Sequence, residues 1–113
     1  MDNCIFCKII NKEIPSSIVY EDDNVIAFKD LNPQAPVHIL VVPKKHYDNV
    51  LSVENNDNII SKIYEAINKI AQQEGFDKDG FRVINNCGEN AGQTVMHMHF
   101  HILAGKKLGE KII

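Results

Sequence analysis

The stretch His97-Met98-His99-Phe100-His101-Ile102-Leu103 alternates polar and apolar side chains at a period of two. On a β-strand that spacing puts His97, His99 and His101 on one face and Met98, Phe100 and Ile102 on the other. A strand of this kind needs a sheet whose one side is closed by a core, while its other side presents imidazoles. Residues i and i+2 lie about 6.6 Å apart along a strand, so the three rings can serve one phosphate-sized centre or one metal ion. Three of the chain's five histidines fall within these five positions, which makes a merely solvated polar face a poor account of them. Two readings remain at this point. Neutral imidazole is a common zinc ligand. With an unperturbed pKa of about 6.5 it is also a nucleophile at neutral pH and a ready proton donor.

A chain of 113 residues suits one domain, residues 1–113, with a core that needs no disulfides. A formal charge of −3 argues against a partner that tracks nucleic acid through a broad basic surface, but leaves a small nucleotide open. The sequence shows no basic and apolar leader and no run near the roughly 18 apolar residues of a membrane span, so a cytoplasmic protein without membrane association is expected. Cys4, Cys7 and Cys87 are odd in number and include a Cys-x-x-Cys, which suits metal binding or free thiols better than a disulfide frame.

Taken in order, Ile5, Phe6, Ile9 and Ile10 recur at helical spacing, with Asp2 or Asn3 as N-cap. On such a short helix Cys4 and Cys7 face the same way and can supply two ligands of a tetrahedral metal site. Ile18–Glu21 and Val25–Lys29 read as a hairpin, and the continuous apolar run Val37–Pro43 reads as a central strand. Its His38, taken alone, reads as a satisfied core histidine. Lys44 and Lys45 are expected to face solvent. From about Asn56 to Gln73, Ile59, Ile60, Ile63, Ile67 and Ile70 make the one long helix, ended by Gly75. Phe81–Asn85 is a further strand. The loop Asn86–Thr94 carries two glycines and several hydroxyl or amide side chains, so it can serve as a phosphate cradle, with Glu89 pointing away.

The segment Gly92-Gln93-Thr94-Val95-Met96-His97-Met98-His99-Phe100-His101-Ile102-Leu103 closely resembles the motif of the histidine triad family. The likeness extends through Ile5–Ile10, Phe28–Pro36 and His38–His46, and points to the nucleotide-binding branch of that family. It implies an α+β fold, an antiparallel sheet of about five strands with one long and one short helix, and a homodimer. It also implies hydrolysis or transfer at the α-phosphorus of a purine nucleotide, AMP- or GMP-like, typically a nucleoside 5′-phosphoramidate such as an adenosine phosphoramidate. On that resemblance His99 is the nucleophile that forms a nucleotidyl-histidine, His101 assists it, and His38 supports His99. Asp30 would hold the ribose hydroxyls. Ile5, Phe6, Ile9, Phe28 and Leu31 would line the base slot, and Asn86, Gly92, Gln93 and Thr94 would approach the phosphate or sugar.

Many relatives lack the two cysteines, but a bacterial-type subset with Cys-x-x-Cys carries a structural zinc. The resemblance implies Cys4, Cys7, His46 and His97 as its ligands, one ion per chain, with no cofactor required for catalysis and with His99 and His101 left free. The tail Ala104–Ile113 departs from close relatives, which often carry tryptophan and prolines there. Hydrolysis of dinucleoside polyphosphates and a non-catalytic nucleotide-binding module are the alternative activities.

Overall fold

The computed structural model describes residues 3–113. In chain order they form α1 (Ile5–Ile10), β1 (Ile18–Glu21), β2 (Val25–Lys29), β3 (Val37–Pro43), α2 (Ile59–Glu74), β4 (Arg82–Asn85) and β5 (Phe100–Ala104). Short 3₁₀ turns occupy Val50–Ser52 and Glu89–Ala91. All five strands join one antiparallel sheet in the order β1-β2-β3-β5-β4.

The sheet is covered on both faces at its centre, which explains why β3 reads as a continuous apolar run and why Val25–Phe28 of β2 are buried throughout. Val25, Ala27, Ile39, Val41, Phe100 and Ile102 face α2 and pack on Ile63, Ile67 and Ile70. Ile26, Phe28, Leu40 and Val42 point the other way and pack on Phe6 and Ile9 of α1. The period of two along each strand therefore assigns α2 to scaffolding and α1 to the face that carries the histidines.

Register then sets the site. His38 lies opposite Leu103 and Leu40 opposite His101, so His38 and His101 are diagonal neighbours on the α1 face.

Several boundaries differ from the sequence expectation. The long helix starts at Ile59 rather than near Asn56, because residues 54–57 form a turn and the Asp57 carboxylate accepts the Ile59 N–H at 3.0 Å. Gly75 ends it in the left-handed region at φ 81°, its N–H on the Ala71 carbonyl. The N-cap of α1 is Cys4, whose Sγ accepts from the Cys7 N–H at 3.3 Å, and not Asn3; Asp2 lies outside the described residues. Lys44 does not face solvent alone: it pairs with Glu21 at 2.8 Å, and Lys12 holds the same carboxylate at 2.7 Å.

The main correction concerns the triad. Regular strand pairing begins only at Phe100, so His97–His99 form an irregular lead-in rather than the first half of β5. The Met98 N–H donates to the Tyr47 carbonyl at 2.7 Å, which ties the lead-in to the chain after β3. Among the described residues, no helix is long and apolar enough to cross a membrane.

Candidate active site and metal centre

Cys4, Cys7, His46 and His97 bring their ligating atoms within 4.8 Å of one another, from α1, the segment after β3 and the β5 lead-in. His97 Nδ1 lies 3.3 Å from Cys4 Sγ and 3.6 Å from Cys7 Sγ, and His46 Nδ1 lies 3.4 Å from Cys7 Sγ. For zinc with bonds of about 2.3 Å to sulfur and about 2.05 Å to nitrogen, tetrahedral geometry puts S and N about 3.6 Å apart.

The outer partners of both imidazoles fix their tautomers. His97 Nε2 donates to the Pro43 carbonyl at 2.9 Å, and His46 Nε2 donates to Asp48 Oδ1 at 2.8 Å. Each Nδ1 therefore carries a lone pair aimed at the centre, the arrangement that metal-binding histidines use. Burial lowers the His97 pKa to about 4, so its ring is neutral near pH 7. Burial and the adjoining Cys4 raise the Cys7 thiol to about 11, so in this apolar setting a cation is what the thiolate form needs. The four residues can hold a metal ion, and their soft, mixed S and N donor set is compatible with zinc.

Beside this centre, between α1 and the histidine-bearing sheet face, lies a groove of about 490 Å³. Ile5, Phe6, Ile9, Phe28 and Leu31 form its apolar wall, and Asp30, His38, Thr94, His99 and His101 also line it. Phe6 is shared by the two sites. Its ring meets Phe28 edge-on at 5.5 Å, His97 at 5.9 Å and His99 at 5.1 Å. The three imidazoles lie in two places: His97, fully buried, sits with Cys4, Cys7 and His46, and His99 and His101 line the groove.

The hydrogen bonds of the groove also assign protons. His99 Nδ1 donates to the His97 carbonyl at 2.8 Å, which leaves the lone pair on Nε2. From the loop before β3, the Gln34 N–H donates to His38 Nδ1 at 3.0 Å, so His38 carries its proton on Nε2. That Nε2 lies 2.9 Å from His101 Nδ1 and 3.4 Å from Asp30 Oδ2. A His38 Nε2–H donating to His101 Nδ1 leaves His101 with its proton on Nε2. Asp30, His38 and His101 also cluster closely enough to chelate an ion, but 2.9 Å between two nitrogens is a hydrogen-bond length. Burial first, then the neighbouring His99 and His38 imidazoles, lower the His101 pKa to about 4. His101 is therefore a neutral donor at pH 7.

The cradle residues are placed less uniformly. Thr94 is exposed on the groove wall. Asp30 Oδ1 accepts the Asn32 N–H at 2.8 Å, which still leaves acceptor capacity on the carboxylate. Asn86 donates to the Ala91 carbonyl at 2.8 Å and is not part of the groove wall, so it braces the loop. Gly92 sits at φ 82°, a conformation open to glycine, and caps the 3₁₀ turn. Gln93, expected to donate to phosphate, is buried with both amide hydrogens engaged, on the Asp48 carbonyl at 2.7 Å and the Val95 carbonyl at 2.9 Å. Glu89 is exposed and off the groove wall. Cys87 is a free, half-buried thiol.

Two contributors were missed from sequence. Gln34 sets the His38 tautomer through its backbone, and Asn85 Nδ2 donates to the His99 carbonyl at 2.9 Å. The first has no side-chain signature. The second could have been suspected from an amide side chain at the end of a strand that leads into the cradle.

Comparison with known proteins agrees with this geometry. The HIT domain matches residues 11–108. A histidine triad protein from Clostridium difficile has 63% sequence identity with this chain, with a TM-score of 0.94 over 98% of this chain and 96% of that one. A HIT family hydrolase from Clostridium thermocellum superposes with a TM-score of 0.97 at 51% identity, over 100% of this chain and 99% of the other. The purine nucleoside phosphoramidase of Escherichia coli is 45% identical over 109 residues, 96% of this chain and 92% of that protein. With the domain matched over most of the chain and a histidine triad structure of 63% identity covering nearly all of it, the chain belongs to the HIT family.

Proposed function

We propose that this protein is a HIT-type hydrolase that cleaves purine nucleoside 5′-phosphoramidates at the α-phosphorus through a nucleotidyl-histidine on His99. The observation that carries the reading is the His99 Nδ1–H bond to the His97 carbonyl, which orients the ring and leaves Nε2 as the free nitrogen at the groove. The name of the Escherichia coli relative supports the substrate class.

In the first half-reaction His99 Nε2 attacks phosphorus and the P–N bond breaks. The amine departs with a proton delivered from water in the open groove. The His101 Nε2–H donates to the phosphoryl oxygens as their charge grows, and the His38 contact keeps that proton on Nε2. In the second half-reaction water attacks phosphorus, the bond to His99 breaks, and the nucleoside monophosphate leaves with the neutral imidazole restored. Thr94 adds a hydroxyl donor on the same wall, Asp30 takes the ribose hydroxyls, and Ile5, Phe6, Ile9, Phe28 and Leu31 hold the base.

The Cys4, Cys7, His46, His97 set is read as a structural zinc site, one ion per chain. Cys4, Cys7, His46 and His97 would hold the ion with four protein ligands, and a site closed in that way would contribute to the fold rather than activate water. The protein is read as a cytoplasmic homodimer. β4 is an edge strand of the sheet, with a pairing side that a second copy could use, and light scattering tests it.

Mass spectrometry of the protein mixed with adenosine 5′-phosphoramidate, beside His99→Ala, tests the reaction. AMP release and an adenylyl adduct are expected in the wild type alone. Turnover by folded His99→Ala at the wild-type rate overturns the mechanism. Faster cleavage of a dinucleoside polyphosphate than of the phosphoramidate overturns the substrate class.

A further inference from the structure

Gln93 is 6% exposed and has a complete set of partners, all of them main-chain groups, two on its own loop and one on the segment after β3. Its Nε2 hydrogens go to the carbonyls of Asp48, at 2.7 Å, and Val95, at 2.9 Å, while its Oε1 accepts the Gly88 N–H at 2.9 Å. Its own N–H donates to the Gly88 carbonyl at 3.1 Å, which closes a second tie across the same loop. Gly88 sits at φ 88° at the start of the cradle's 3₁₀ turn, and Val95 follows Thr94 on the groove wall. Asp48 is the residue whose carboxylate orients the metal ligand His46. One buried amide therefore pins the loop beside the groove to the loop that positions a metal ligand. A primary amide has two hydrogens to give, and both are spent here.

We propose that Gln93 is a positioning residue that couples the metal centre to the phosphate end of the groove, and that it is not itself a ligand of the substrate phosphate. Resting on the nucleotide-site reading above, the proposal adds a consequence. Metal occupancy holds the segment around His46 and Asp48, and the Asp48 carbonyl holds Gln93. Gln93 in turn holds Gly88 and Val95 on either side of Thr94. A nucleotide that requires the closed cradle then stabilises the metal, and the metal stabilises the nucleotide by the same factor, since coupling between two sites is reciprocal.

The test is an equilibrium titration of the metal-loaded protein against a competing chromogenic chelator, with and without saturating AMP, in the wild type and in Gln93→Met. Met keeps most of the volume and removes all three side-chain bonds. Gln93→Glu, which keeps an acceptor for the Gly88 N–H and loses both donors, carries the same comparison where Met does not fold.

AMP is expected to tighten wild-type metal affinity by about fivefold or more, and to change that of the variant by less than about twofold. Without AMP, the variant is expected to bind metal more weakly than the wild type. The proposal is overturned by AMP binding that leaves wild-type metal affinity unchanged. It is equally overturned by a variant that retains the full AMP effect, or by one whose AMP-free metal affinity matches the wild type. Failure of the wild type to bind AMP overturns the nucleotide reading instead, and the AMP-free arm still decides whether Gln93 braces the metal loop.

Discussion

His99 Nδ1 donates to the main-chain carbonyl of His97 at 2.8 Å, so a residue whose ring faces the candidate metal site fixes, through its backbone, the tautomer of the ring that faces the groove. The same residue ties Nε2 to the Pro43 carbonyl at the end of β3. His97 is thereby held on two sides, and it passes that constraint to His99 two residues later. The irregular lead-in before Phe100 is where successive histidines of the motif turn apart, His97 toward Cys4, Cys7 and His46 and His99 toward the groove.

The His38–His101 contact predicts an order of defects. Deleting an oriented donor to the developing phosphoryl charge costs about 100- to 1,000-fold in kcat, which is expected of His101→Ala. His38→Ala leaves that donor in place but frees its tautomer, so a smaller loss is expected. Because the two rings act at 2.9 Å, the double variant should lose little more than His101→Ala alone. Steady-state kinetics on the four proteins checks this, and multiplicative losses count against a shared role.

The metal centre predicts an effect from a residue that does not ligate. Asp48 accepts the His46 Nε2–H at 2.8 Å, and removal of such an outer partner typically weakens metal affinity by about 10- to 100-fold. Asp48→Ala should show that loss in a chelator titration, while Cys7→Ser should purify with little metal. An Asp48→Ala protein with wild-type affinity would mean that packing alone orients His46.

Much of this arrangement was legible in the sequence, and the illegible parts share a cause. Alternation in β5, the β1–β2 hairpin and the two-sided run of β3 announce the sheet because side-chain period follows backbone geometry. The 3.6-residue spacing of Ile59, Ile63, Ile67 and Ile70 announces α2 in the same way. Motif resemblance, rather than periodicity, implied Cys4, Cys7, His46 and His97 as a set, and they do converge. What no pattern encodes is where side chains are spent on backbone groups. Gln93 looks like a donor to substrate until its partners on Asp48, Val95 and Gly88 are seen, and Asn86 until its bond to Ala91 is seen. Periodicity also overextended the triad strand, since the Met98 tie to Tyr47 and the His97 tie to Pro43 come from segments far away in sequence.

Acid should destabilise the protein in a defined window. Burial lowers the pKa of His97 and of His101 to about 4, against 6.5 for an unperturbed imidazole. Between those values the unfolded chain holds more protons than the folded one, so stability is complete above 6.5 and declines as pH falls toward 4. Metal binding at His97 acts in the same direction, because protons compete for the ligand. Thermal unfolding followed from about pH 7.5 to about pH 4.5 should show a falling Tm, with a shallower fall in His101→Gln. A Tm that is flat or rises on acidification contradicts the buried neutral state of both rings.

The two faces of the sheet predict a separation between stability and binding. Phe6 fills the α1 side against Phe28 and meets both His97 and His99 edge-on, whereas Ile63 is fully buried on the α2 side, away from the groove. Truncating a buried Phe costs about 3–5 kcal/mol and an Ile about 2–5 kcal/mol, so Phe6→Ala and Ile63→Ala should lower Tm comparably. Only Phe6→Ala removes a wall of the groove, and it alone should weaken AMP binding measured by calorimetry well below the melting transition. Loss of AMP affinity in Ile63→Ala to the same degree would show that the groove depends on global packing rather than on the wall that α1 provides.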